Sequence, residues 1–145
     1  MQDLPHYYKV SANADSDTPV IVSSDGVPDL ETAGPPEFGG PGDVWSPEGL
    51  LVASVADCFV LTFRAMARAS KLEWQSLSCQ ASGTLDKIDK VTQFTGFDLD
   101  VELTVPQGTD ENKANRLLQR AEHHCLITNS LKAGSTLVAN VRIAA

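Results

Sequence analysis

Apolar residues alternate with polar ones over two stretches of the chain, and over a third they crowd almost every face of a helix. From Thr95 to Pro106, Phe97, Leu99, Val101, Leu103 and Val105 alternate with acidic Asp98, Asp100 and Glu102. That pattern predicts a strand with one dry face and one wet face. The segment EWQSLSCQASGTLDKI before it alternates over Leu77, Cys79 and Ala81, so the two together predict an antiparallel pair. HYYKVSA (6–12) and TPVIVSS (18–24) carry aromatic and β-branched residues. They predict a hairpin, with a third short strand around PDLETA.

The long apolar stretch follows a loop, GPPEFGGPGDVWSPEG (34–49), too rich in glycine and proline to be helix or central strand. At its end Ser46 is a good N-cap, Pro47 suits the first helical position and Glu48 suits the positive helix end. From there to about Ser70 the pattern is helical and apolar on nearly all sides until Arg64 and Arg68. A helix apolar all round is expected to be buried all round, wrapped by sheet or by a partner chain. Thr109 and Asp110 open a further helix with acids in its first turn. CLITNSLKAG reads as a short helix ended by Gly134, and STLVANVRIA as a closing strand. Strands, a buried helix, two strands, helices and a strand make an α+β protein, and its 145 residues suit a single domain over 1–145.

Composition narrows the choice of function. The net charge is −8, and the only lysine or arginine before Arg64 is Lys9. Such a chain is a poor partner for nucleic acid or an anionic membrane. Asp57 and Arg64 interrupt the best apolar run, so no membrane span is expected. The N-terminus lacks the pattern of a signal peptide. Three cysteines, Cys58, Cys79 and Cys125, do not make a disulfide scaffold. The expected compartment is therefore the reducing cytoplasm, where a paired thiol serves catalysis or redox sensing more often than structure.

Each cysteine alone is ambiguous, since free cysteine is commonly a small buried hydrophobe. Cys58 lies inside the apolar helix beside Asp57, whose carboxylate would raise a nearby thiol pKa. Cys125 follows His123 and His124 and opens a short helix, a setting that favours thiolate. The same HHC triplet could be read as metal ligands with His6. It lacks the C-x-x-C or H-x-x-x-H spacing of such sites, and no cofactor or metal is expected.

Taken together, GGPGDVWSPEGLLVASVADCF and the later AEHHCLITNSL resemble the OsmC/Ohr family of thiol-dependent organic hydroperoxide reductases. The resemblance rests on the Gly-rich loop, the Ser-Pro-Glu helix start and the spacings Glu48 to Cys58, Cys58 to Cys125 and Cys125 to Thr128. It implies an OsmC-like fold, with antiparallel sheets wrapped around long central helices in an intertwined homodimer. It further implies that Cys58 attacks an alkyl or fatty-acid hydroperoxide, that Cys125 resolves the sulfenic acid as a disulfide, and that Glu48 assists. A dithiol or lipoyl-bearing protein would then return the thiols. Ten residues of uninterrupted helix hold Glu48 about 15 Å from Cys58 along the axis, so if Glu48 serves this thiol the helix must start later or bend, or Glu48 must act across the dimer. One departure is plain. The family's N-terminal arginine is missing, with Ser24 about where it would stand. Arg64, Arg116, Arg120, His123 and His124 are the remaining candidates for a positive charge. The alternative function is a dimer that binds a small apolar ligand through Trp45, Phe38 and Phe59, with the thiols incidental. A redox sensor acting on a partner protein would use the same thiols.

Overall fold

The computed structural model describes residues 1–145, which fall into two compact units, 1–50 and 51–145. The first unit holds a small antiparallel sheet, β1 (Ser11–Asn13), β2 (Val20–Ser23) and β3 (Leu30–Thr32), in that order. The hairpin and the third strand are therefore present, but the first strand is shorter than its sequence suggests. Residues 6–10 take no regular structure, and Tyr7 and Tyr8 are about 90% exposed. Propensity alone does not make a strand where no neighbour packs against the rings. In the Gly-rich loop, proline does permit one 3-10 turn, Pro36–Phe38, closed by Gly39 at φ 85°. Thr32 and Trp45 form an isolated parallel bridge beyond it.

Helix α1 (Pro47–Ser70) begins where the capping pattern places it. The Gly49 backbone N–H donates to Ser46 Oγ at 3.0 Å, and the Leu50 N–H donates to the Ser46 carbonyl. At the far end the Lys113 ammonium donates to the Ser70 carbonyl at 3.1 Å, where a cation suits the negative helix terminus.

The second unit is built on a sheet of order β4-β5-β6. Strands β4 (Ser76–Ile88) and β5 (Val91–Val105) are antiparallel, as their alternation requires. Asp89 and Lys90 turn the chain between them with φ of 49° and 68°, the left-handed pair of a tight hairpin. Strand β6 (Ser135–Ile143) joins the other edge of β5 and runs parallel to it. The antiparallel pairing implied by the resemblance thus does not extend to β6. The chain returns through α2 (Glu111–His123) and α3 (Leu126–Asn129), and a helical crossover is what parallel neighbours need. Asp110 caps α2 by accepting from the Asn112 and Lys113 N–H groups. The short helix α3 stops at Asn129, well before Gly134.

The core is one cluster. Phe97, Leu99, Val101, Leu103 and Val105 of β5 meet Val55, Phe59, Phe63 and Ala67 of α1 and Ala114, Leu117, Leu118 and Ala121 of α2. The α1 residues recur every fourth position, one stripe of the helix. Within one chain, then, α1 is buried on that stripe and not all round. Leu61, on another face, is 50% exposed. By length and composition α1 is also apolar enough to cross a membrane. Asp57 and Arg64 do not exclude this as the sequence suggested, since two charges leave a long window strongly apolar. A core helix passes the same test, and the buried α1 stripe is core.

Candidate active site

Cys58 projects from the open side of α1, one residue before buried Phe59. Ser54, Cys58, Leu61, Thr62, Ala65 and Met66 recur at three- and four-residue steps and form one wall of a cavity of about 720 Å³. Asp57 flanks this wall. The opposite wall comes from the end of α2 and the start of α3, with Arg120, His124, Leu126 and Ile127. The volume lies within the range of small-molecule sites, and such a lining of apolar walls with a few polar groups is typical of them.

Three neighbours surround the Cys58 sulfur. Thr62 Oγ1 stands one helical turn on at 3.8 Å. The Ile127 backbone N–H, from the first turn of α3, is directed at it, and the Cys125 thiol adjoins it. Burial pushes the Cys58 thiol above its ordinary pKa. The Ile127 N–H and the Thr62 hydroxyl pull it down, and Cys125 adds a further upward push through its hydrogen bond and its charge. Neither Arg120 nor His124, although both line the cavity, contributes a downward pull.

Cys125 is 1% exposed and occupies the N-cap position of α3. Its carbonyl accepts from the Asn129 N–H and from Thr128 Oγ1, so the Thr three residues on fixes the α3 turn and not the sulfur. The fold thus brings together two of the three site residues named from sequence. All three cysteines are free thiols. Cys79, on the inward face of β4, is pushed up to about 11 by burial, with Cys125 and Asp100 adding to the rise. Such a thiol is almost wholly protonated at neutral pH.

Glu48 is the third named residue, and it does not line the cavity. Helix α1 runs unbroken from Pro47, so about 15 Å of rise separates Glu48 from Cys58. One Glu48 carboxylate oxygen, Oε2, is out of contact with solvent and has no hydrogen-bond partner in the chain. A buried acceptor left unpaired is uncommon in folded proteins. Among the cations considered, Arg120 and His124 reach the cavity, whereas Arg64, Arg116 and His123 do not. The i, i+4 spacing of Arg120 and His124 puts both on one face of α2, a signal present in the sequence but blind to which face meets Cys58. Of the aromatics considered for an apolar ligand, Phe59 is fully buried in the core and does not line this cavity. Phe38 and Trp45 are exposed in the Gly-rich loop.

Comparison with known proteins agrees with this architecture. Residues 40–140 match the family model for OsmC-like protein. The organic hydroperoxide resistance protein of Xanthomonas axonopodis pv. citri is 32% identical over 114 residues, 77% of each chain. Peroxiredoxin OsmC of Escherichia coli is 32% identical over 92 residues, 63% of this chain and 64% of that protein. The structure of an OsmC-like protein from Vibrio cholerae superposes with a TM-score of 0.84 at 18% identity, covering 94% of this chain and all of that one.

Proposed function

Because the chain belongs to the OsmC-like protein family, we propose that it reduces organic hydroperoxides to alcohols, with Cys58 as the attacking thiol. The observation that carries this reading is the Cys125 thiol beside Cys58, whose own side chain lines an apolar cavity. The names of the Xanthomonas and Escherichia coli relatives support the same chemistry.

In the proposed reaction the Cys58 thiolate attacks the terminal peroxide oxygen. The O–O bond breaks, an alkoxide leaves and takes a proton to become the alcohol, and Cys58 becomes a sulfenic acid. The Cys125 thiol then attacks the Cys58 sulfur, water leaves, and a Cys58–Cys125 disulfide forms. A dithiol or lipoyl-protein reductant exchanges with that disulfide, restores both thiols and is itself oxidised. The Ile127 N–H and Thr62 hydroxyl are placed to support the negative sulfur. The apolar walls of Leu61, Met66, Leu126 and Ile127 would hold the alkyl part of the substrate and limit access of water.

This reading takes residues 1–145 as one OsmC-like domain that works as a homodimer in a reducing cytoplasm. The half-exposed apolar face of α1 at Leu61 favours a second copy as its cover. The unpaired Glu48 oxygen and its distance along α1 favour a role for Glu48 across that interface, in the site of the other copy. The test follows thiol loss as reduced protein is titrated with cumene hydroperoxide. Wild type is expected to lose two thiols per peroxide and to form the Cys58–Cys125 disulfide. Cys125→Ser should stop at a trappable sulfenic acid, and Cys58→Ser should not react. A wild type no faster than free cysteine sinks the proposal.

A further inference from the structure

Two of the groups around the Cys58 sulfur, the Cys125 thiol and the Ile127 N–H, are carried by the segment that joins α2 to β6. Its one regular element is α3, four residues long, and a helix that short does not hold its own shape. At the entry to the segment Ala121 is buried in the core, and the Cys125 N–H donates to the Glu122 carbonyl at 3.4 Å. At the exit the Phe97 N–H donates to the Gly134 carbonyl at 3.0 Å, so β6 starts against the central strand. In between, Ile127, Leu131 and Ala133 pack on the core, and the Asn129 side chain donates to the His123 carbonyl at 3.1 Å.

One bond ties the two ends to each other. Ser135 Oγ donates to Glu122 Oε1 at 2.5 Å, across 13 positions of the chain. Both residues are half-buried. The length suits a hydroxyl on an ionised carboxylate, a bond about twice as strong as a neutral one. Glu122 makes no ion pair, since that of this chain joins Arg142 to Glu102. It therefore grips both ends of the segment, Cys125 through its carbonyl and Ser135 through its carboxylate. Resting on the two-thiol reading above, we propose that the Glu122–Ser135 bond is a clasp that holds this segment closed, with Glu122 as the positioning residue that keeps the Cys125 thiol at the Cys58 sulfur. Neither Glu122 nor Ser135 acts on that sulfur directly. Disulfide formation within a chain depends on the effective concentration of one thiol at the other, which falls once the connecting segment is loose. With the clasp open, a sulfenic acid at Cys58 waits longer for Cys125. A second hydroperoxide can then oxidise it to the sulfinic acid, the peroxide leaving as alcohol.

Two arms test the clasp, and the first needs no peroxide. Reduced protein is equilibrated in glutathione redox buffers, and the Cys58–Cys125 disulfide is quantified by mass spectrometry of the joined peptides. Glutathione disulfide takes up the two electrons and leaves as two thiols, so the equilibrium constant reports how closely the two cysteines are held. Ser135→Ala and Glu122→Ala are each expected to lower that constant by about tenfold, as loss of a charge-assisted bond implies. The double variant should be no worse than the worse single one, because either change opens the same clasp. Ser135→Thr keeps the hydroxyl and should stay near wild type, and Glu122→Gln keeps an acceptor without the charge and should fall between. In the second arm one equivalent of cumene hydroperoxide is added with dimedone present, and Cys58 trapped as sulfenic acid is compared with Cys58 in the disulfide. Ser135→Ala should move that ratio about tenfold toward the trapped form. Urea unfolding is followed alongside, since a merely structural role lowers the midpoint without moving either readout. An unchanged glutathione constant in Ser135→Ala, losses that add in the double variant, or a wild type that forms no Cys58–Cys125 disulfide overturns the inference. If the hydroperoxide is not consumed, the peroxidase reading fails and the glutathione arm decides the clasp by itself.

Discussion

Replacing Thr62 with valine keeps the shape of the side chain and removes the one hydroxyl facing the Cys58 sulfur. Two groups pull the Cys58 pKa down against burial, the Ile127 N–H and the Thr62 hydroxyl 3.8 Å away. An ordinary thiol of pKa about 8.5 is about 3% thiolate at pH 7. Cys58, raised above the ordinary value, lies below that fraction. The rate at which it alkylates should therefore climb about tenfold per pH unit through neutrality and level off only above the usual thiol range. A hydrogen bond of this length to a thiolate contributes about 1 kcal/mol. Its loss corresponds to a rise of about 0.7 pH unit in the midpoint and about a fivefold slower reaction at pH 7. The assay is iodoacetamide alkylation from about pH 6 to pH 10, read by mass spectrometry of the Cys58 peptide, alongside single-turnover peroxide consumption. A midpoint that stays put or falls in Thr62→Val refutes the role given to the hydroxyl. A wild-type profile already flat near pH 7 refutes the claim that burial dominates at Cys58.

Three further substitutions test the frame around the site. Cys79→Ala should leave peroxide consumption by Cys58 unchanged, because a thiol pushed up to about 11 is almost wholly protonated at pH 7; stopped-flow rates of the two proteins check this. Phe63→Ala removes a fully buried ring that meets Trp74 edge-on with centroids 5.6 Å apart. The expected cost is about 3–5 kcal/mol in urea unfolding, and a loss under 1 kcal/mol would mean the core closes over the gap. Gly83→Ala places a Cβ 2.8 Å from both the Phe94 ring and a Val52 methyl. It should cost about 1–3 kcal/mol by overcrowding, seen as a lower urea midpoint at unchanged slope.

The local elements of this protein are written in its sequence because their causes are local. Ser46 and Pro47 announce α1, Asp110 announces α2, and the alternation from Phe97 to Val105 gives β5 both its strand and its dry face. Each depends on a periodicity or a cap that a few neighbouring residues supply. Tyr7 and Tyr8 show the limit of that reasoning, since aromatic character reads as strand until a neighbour to pair with is required. The apolar α1 segment shows it again. Its composition says that most faces avoid water, but only packing decides that Val55, Phe59, Phe63 and Ala67 meet the sheet while Cys58 and Leu61 stay open. Composition could not separate Phe59 from Phe38 and Trp45, because all three are large aromatics and differ only in what surrounds them. The same holds for the cations. Arg64, Arg116 and Arg120 are all arginines on helices, and of the three only Arg120 lines the cavity. Contacts between residues 60 or more positions apart, such as Cys58 with Cys125 and Ile127, are set by how helices and sheet pack. No local pattern carries that information, and so the neighbours of the reactive sulfur are a property of the tertiary structure.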